Sequence, residues 1–147
     1  MIIFLVIIDQ LVKFSVIKNI YNSSITIING ALNLTYIENT GGAFGIGNDS
    51  TIMFIMVNII IITLATKFII SKKNELSTNI MFGLGLILAG GIGNLIDRIF
   101  RGFVVDYIDI SPLIKYPVFN FADICVVLGC IIIAVNLVIN IIKQRRG

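Results

Sequence analysis

The sequence predicts an α-helical integral membrane protein, a four-helix transmembrane bundle with a small β-rich outer segment. Three observations carry that expectation. First, 57% of the 147 residues are apolar and only 13% charged, with a mean hydropathy of +1.02. A soluble domain is about half apolar and about a quarter charged, so too few charges remain here to coat a water-exposed surface. Second, four stretches of near-spanning length recur along the chain. Third, the basic residues gather at the ends of those stretches, whereas nucleic-acid binding calls for a basic face interleaved with aromatics. No nucleic-acid partner is expected.

A bilayer-spanning helix needs about 20 mostly apolar residues. Residues 1–20 are read as a retained first span, because Met1 to Ile8 lack a positive leading region and no small-residue cleavage site follows. Asp9 and Lys13 stand four apart on one helical face, where each can neutralise the other inside a bundle. Ile25–Ile28, Asn29-Gly30 and Ala31–Ile37 read as β-rich chain around an Asn-Gly turn. It would lie against the membrane surface or the helix ends, since an isolated hairpin is marginal in water. In the segment Glu38-Asn39-Thr40-Gly41-Gly42-Ala43-Phe44-Gly45 the glycines permit either ordinary turns or close backbone approach to a ligand.

Residues 52–70 form the second span, with Asn58 and Lys67 as its polar interruptions; residues 80–97 form the third, uncharged until its end. Its glycines Gly83, Gly85, Gly90, Gly91 and Gly93 suit close helix packing. Residues 123–142 form the fourth, interrupted by Asn136 and Asn140; Cys125 and Cys130 are packing residues there, too few for a disulfide framework. Lys67, Lys72 and Lys73 follow the second span, and Lys143, Arg145 and Arg146 follow the fourth. Two crossings separate these clusters, so both mark the cytoplasmic side. Both termini are then cytoplasmic, and residues 21–50 and 98–122 lie on the outer face.

The absence of histidine excludes Ser-His-Asp triads, Cys-His dyads and His-ligated zinc or haem. Chemistry must rest on carboxylates, amides, hydroxyls and a few cations. Asn94, Asp97 and Arg98 fall at i, i+3 and i+4 at the outer end of the third span. They read either as a packing Asn with an interfacial Asp97–Arg98 pair, or as a site in which Arg98 donates to peptide carbonyls. Asp123 opens the fourth span, where it can also serve as a helix cap. Asp106 lies 17 residues earlier in an apolar stretch, joined to Asp123 by a loop holding Pro112 and Pro117. The two carboxylates can converge at one membrane depth. In a partly dehydrated site one would keep a proton while the other acts as base, activating water against a peptide carbonyl. Two other readings compete: a small transporter or channel carrying ions on membrane carboxylates, and a hydrolase using Ser111 and Lys115, which Pro112 disfavours as a continuous helical pair.

The blocks Asp9-Gln10-x-x-Lys13, Glu38-Asn39-Thr40-Gly41-Gly42-Ala43-Phe44, Gly90-Gly91-Ile92-Gly93-Asn94-Leu95-Ile96-Asp97-Arg98, Val104-Val105-Asp106-Tyr107-Ile108-Asp109 and Phe119-Asn120-Phe121-Ala122-Asp123 occur in this order. Together they resemble the lipoprotein signal peptidases, or signal peptidase II. The resemblance implies a bacterial inner-membrane aspartic endopeptidase. It would remove signal peptides from diacylglyceryl-modified prolipoproteins, cutting before the lipidated cysteine at the extracytoplasmic face. It implies Asp106 and Asp123 as the catalytic dyad, Asn39, Asn94, Arg98 and Asn120 as substrate-site residues, and Asp9, Lys13, Asp97 and Gly41 as supporting ones. It further implies a β-cradle on a four-helix bundle, no metal or other cofactor, membrane lipids and prolipoproteins as partners, inhibition by globomycin, and a monomer. Two departures stand out: only eight residues precede Asp9, and the loop between the aspartates is short.

Overall fold

The computed structural model describes residues 1–41 and 50–145; Gly42, Ala43 and Phe44 of the second block, Gly45 after it, and Arg146 of the last basic cluster lie outside the described residues. The order is α1 (Ile2–Ile20), β1 (Ser24–Ile28), β2 (Leu32–Asn39), α2 (Thr51–Lys72), α3 (Thr78–Arg101), β3 (Val104–Asp109) and α4 (Phe121–Gln144). Among the described residues three helices, α2, α3 and α4, are long and apolar enough to cross a membrane. The helix α1 has 19 residues but carries Asp9, Lys13 and Lys18.

Glycine decides how the helices approach. Any side chain at Gly83 would meet the Gly129 carbonyl at 2.9 Å, and one at Gly129 would meet the Gly83 carbonyl at 2.5 Å. These reciprocal bare positions let α3 and α4 run in direct backbone contact, the packing that hydrocarbon surroundings favour because lipid removes any hydrophobic drive between helices. By contrast α2 touches chiefly α3, where Asn58 Nδ2 donates to the Gly91 carbonyl at 3.2 Å. No residue of α2 is fully buried.

The hairpin forms where the Asn-Gly signal lies. Gly30 has φ +72°, the left-handed turn conformation glycine adopts without strain, and Ala31 N–H donates to the Ile28 carbonyl at 3.0 Å. The stretch after α3 is not a plain loop: residues 104–109 form a third strand, and the sheet order is β1-β2-β3, antiparallel throughout. Gly102, at φ +82°, ends α3 and reverses the chain into that strand. Val105 and Tyr107, on one face of β3, pack with Val16, Ile20 and Tyr36, which seats the sheet on the end of α1. Strand alternation then turns Asp106 to the opposite face.

Candidate active site

Asp106 is 2% exposed. In the β2–β3 register Asn39 stands opposite Val104 and Ile37 opposite Asp106. Asn39 is thus diagonal to Asp106, within reach of its side chain, and donates to Asp106 Oδ2 at 2.8 Å while its own Oδ1 accepts Gly41 N–H at 3.0 Å. The other carboxylate oxygen, Asp106 Oδ1, accepts from Asn120 Nδ2 at 2.6 Å.

Asn120 is the N-cap of α4 and Asp123 its N3 residue, forming a capping box: Asn120 Oδ1 accepts Asp123 N–H at 3.0 Å, and Asp123 Oδ2 accepts Asn120 N–H at 3.1 Å. Helix capping and site membership are therefore both true of Asp123, because a carboxylate has two oxygens. Its free Oδ1 accepts from Asn94 Nδ2 on α3 at 2.7 Å. The first four N–H groups of a helix lack intrahelical partners, and here all four are met. Besides the two just named, Phe121 N–H reaches the Tyr107 hydroxyl at 3.2 Å, and Ala122 N–H reaches Asp9 Oδ1 at 3.2 Å.

Beneath Asp106 and Asp123 sits a buried ionic cluster. Lys13 Nζ contacts Asp9 Oδ2 at 2.9 Å, Asp97 Oδ2 at 2.8 Å and Asn94 Oδ1 at 2.9 Å. Asp97 also accepts Val105 N–H at 3.1 Å and pairs with Arg101. The interfacial Asp97–Arg98 pair is thus replaced by Asp97–Lys13 and Asp97–Arg101: one helical turn brings Arg101 onto the Asp97 side, while Arg98 points elsewhere. Arg98 Nη2 donates to the Gly41 carbonyl at 3.0 Å, and its guanidinium carbon lies 5.2 Å from the centre of the Phe54 ring. Among the described residues its buried Nε has no hydrogen-bond partner. The Arg98 side chain borders a cavity of about 220 Å³ between α2, α3 and α4, lined by Phe54, Val57, Asn58, Gly91 and Asn94 among others.

The structure therefore brings Asp106, Asp123, Asn39, Asn94 and Asn120 into one hydrogen-bonded group. Asp9, Lys13 and Asp97 lie directly behind it, and Arg98 and Gly41 at its edge. Ser111 is outside it: its N–H donates to Asp109 Oδ1 at 2.9 Å, and Lys115 is exposed. The Ser111 hydroxyl, followed by its N–H and the Thr35 hydroxyl, holds the Asp109 carboxyl below the usual carboxylate range. Among the described residues no three His, Cys, Asp or Glu side chains are grouped to hold a metal ion.

Four participants were not singled out from sequence. Gln10 Nε2 reaches Asp9 Oδ2, Asp97 Oδ1 and the Gly93 carbonyl, each at 3.1 Å, while its Oε1 accepts from Arg101 Nη1 at 3.1 Å. The i, i+4 spacing of Asp97 and Arg101 was a usable signal, and so was the alternation that puts Tyr107 opposite Asp106. Nothing local marks Phe54, which meets Arg98 only through packing of α2 on α3.

Asp106 has its carboxyl pushed up to about 7, first by burial and then by the charge of Asp123, against the lowering effect of the Asn39 and Asn120 hydrogen bonds. Such a pair holds one proton between two carboxyls near neutrality, the state that lets one act as base and the other as acid.

A family model described as signal peptidase (SPase) II matches residues 1–139. The chain is 42% identical over 147 residues to the lipoprotein signal peptidase of Clostridioides difficile (strain 630), covering 98% of this chain and 96% of that one. To the lipoprotein signal peptidase of Caldicellulosiruptor bescii it is 39% identical over 127 residues, covering 86% of this chain and 81% of that one. A solved bacterial membrane enzyme, determined by the in meso method at 2.3 Å resolution, superposes with a TM-score of 0.83 at 34% identity, covering 93% of this chain and 84% of that one. A fold shared with a membrane enzyme, and sequence likeness running almost end to end, lead to one assignment: the chain belongs to the lipoprotein signal peptidase (signal peptidase II) family.

Proposed function

We propose that this protein is an intramembrane aspartic endopeptidase that removes signal peptides from diacylglyceryl-modified prolipoproteins, cleaving just before the lipidated cysteine. The observation that carries the reading is the treatment of the two carboxylates. Each of the four oxygens of Asp106 and Asp123 receives one N–H, from Asn39, Asn94, and the side chain and backbone of Asn120. Those donors hold both carboxyls in fixed orientation at one place, with a raised pKa at Asp106. A water between them loses a proton to the ionised carboxyl and attacks the scissile carbonyl; the protonated carboxyl then delivers its proton to the leaving amine. The pair titrates as a unit. Arg98 lines the cavity with a multi-donor guanidinium, which suits it to receive a substrate backbone carbonyl. Gly41, whose carbonyl accepts from Arg98, holds it there.

The reading includes α1 as a fourth crossing. At 1.5 Å per residue its 19 residues reach about 28 Å, close to the hydrocarbon thickness. Its charged pair turns inward, with Asp9 1% and Lys13 0% exposed, whereas Ile3, Phe4, Leu11 and Phe14 face outward. Lys67, Lys72 and Lys73 around the α2–α3 turn and Lys143 and Arg145 ending α4 stand at the helix ends away from the dyad, which by the positive-inside rule supports cytoplasmic termini and a dyad at the extracytoplasmic face. The polar side chains of the site gather at one end of the bundle, which favours a peptidase over an ion pathway. Prolipoproteins and membrane lipids are its partners, globomycin its inhibitor, and the enzyme works as a monomer without a cofactor.

The test is cleavage by the purified protein of a diacylglyceryl-modified prolipoprotein beside its unlipidated control. Cleavage of the lipidated form alone, blocked by globomycin and abolished in Asp106→Asn and in Asp123→Asn, is expected. Normal turnover by either folded variant would remove the dyad.

A further inference from the structure

Lys13 is fully buried, and an ammonium has three N–H donors and no acceptor. Two donors meet the two acids Asp9 and Asp97, and together with Arg101 these four groups already balance in charge. The third donor is not needed for that balance. It goes to Asn94 Oδ1 at 2.9 Å, on the residue that touches Asp123.

We infer that Lys13 is a positioning residue for the dyad: by donating to Asn94 Oδ1 it fixes the Asn94 amide the one way round that presents Nδ2 to Asp123. The inference rests on the proposed dyad for its catalytic consequence, not for its geometry. A primary amide is nearly symmetric in shape, so only its hydrogen-bond partners decide which end is oxygen. Asn94 Oδ1 faces two groups that can only donate there, Lys13 Nζ at 2.9 Å and Asn120 Nδ2 at 3.1 Å. Its Nδ2 faces a carboxylate oxygen at 2.7 Å. Turning the amide over would set NH₂ against an ammonium and an amide NH₂, and C=O against the carboxylate, so all three contacts would become repulsive. Asn120 depends on the same choice. One of its Nδ2 protons goes to Asn94 Oδ1 and the other to Asp106 Oδ1 at 2.6 Å, so a turned Asn94 amide would also disturb the donor to Asp106. Without Lys13, the oxygen end of the amide would be held by Asn120 alone, a lone neutral donor, and only Asp123 would hold the other end.

The experiment uses the full-length chain in lipid nanodiscs, ¹⁵N-labelled at asparagine, with Asn94→Ala to assign the Asn94 side-chain amide resonances. Two variants are compared. Lys13→Met removes the ammonium and keeps the stem. Lys13→Met with Asp9→Asn also restores charge balance, and Asn at residue 9 keeps an acceptor for Ala122 N–H. In both, the Asn94 amide protons are expected to lose the downfield position of a carboxylate-bound NH₂. Loss of one donor to a charged group should lower kcat about 10- to 100-fold, with KM held within about threefold. A folded double variant with wild-type kcat would make Lys13 a charge-balancing residue and overturn the inference. So would unmoved Asn94 resonances in both variants, or loss of fold in the double variant as well, which would make its role structural. Failure of the dyad itself would appear separately, as normal turnover by Asp123→Asn. The Asn94 resonances would then still decide the role of Lys13.

Discussion

Replacing Gly90 with alanine should inactivate the enzyme although Gly90 touches neither carboxylate of the proposed dyad. A Cβ at Gly90 would overlap the Ala122 carbonyl oxygen and stand 2.7 Å from Val126 Cγ2, where ordinary contact begins at 3.4 Å. The carbonyl oxygen lies nearer still than the Val126 methyl and is backbone, so it cannot swing aside; α3 and α4 must part by at least the 0.7 Å that separates 2.7 Å from 3.4 Å. Asn94 is the next turn of α3, and its 2.7 Å bond to Asp123 on α4 crosses the same interface. Widening by that amount takes the bond to about 3.4 Å, beyond useful hydrogen-bond length. Misplacement of a site by about 1 Å costs about a hundredfold in rate, or roughly 2.7 kcal/mol of barrier. Gly91→Ala is the control, because the nearest atoms its Cβ would meet are the Asn58 Oδ1 at 3.3 Å and Ile62 side-chain atoms at 3.5 Å and beyond. These are side-chain atoms that can yield. The assay is kcat on a diacylglyceryl-modified prolipoprotein, with circular dichroism to establish that both variants are folded. A folded Gly90→Ala enzyme within about threefold of wild type, or one no slower than Gly91→Ala, would refute the argument that α3–α4 contact sets the Asn94–Asp123 distance.

The remaining predictions concern the dyad and its frame. The rate should follow a bell in pH with its alkaline limb in the region of about 7. As pH rises through that value Asp106 gives up its proton, the pair becomes two anions, and the proposed mechanism loses its acid for the leaving amine. A rate rising steadily into alkali would instead favour a lysine-assisted serine. Asp123→Asn removes the neighbouring charge, so the Asp106 carboxyl, followed by ¹³C NMR titration, should move down toward the ordinary carboxylate range; an unmoved titration would show that burial alone raises it. Ser111→Ala should keep activity within about twofold, since a serine bonded to Asp109 lies outside the dyad; a surface-type change of this kind typically costs little. Tyr107→Phe orphans the Phe121 N–H and should lower stability by about 1–3 kcal/mol, read as a fall in Tm; an unchanged Tm would mean that this N–H finds another partner.

Much of this arrangement was legible from local pattern. Hydropathy located α2, α3 and α4 because a lipid-covered helix must be apolar over its whole length. Asn29-Gly30 located the hairpin because Gly30 needs a positive φ. The i, i+4 spacing paired Asp9 with Lys13. Where reading failed, the deciding partner was remote. The segment 104–109 reads in sequence only as an apolar outer stretch, because strand pairing depends on β2, some 65 residues away. Asp97 looked like the partner of Arg98 because adjacent charges invite pairing, whereas α1 supplied Lys13 from 84 residues away.

The sequence by itself determined that this is a membrane protein without histidine chemistry, six of whose eight acids stand in five ordered blocks. Composition and spacing are properties of the chain, and no folding is needed to read them. Tertiary structure decided which groups touch. It placed Asp106 on a strand, made Asp123 both helix cap and hydrogen-bond acceptor, and put Lys13 behind Asn94. Such contacts follow from helix approach set by bare glycine surfaces and from strand register. In a low-dielectric interior every buried polar group must find its partner, from whatever part of the chain the fold brings within reach.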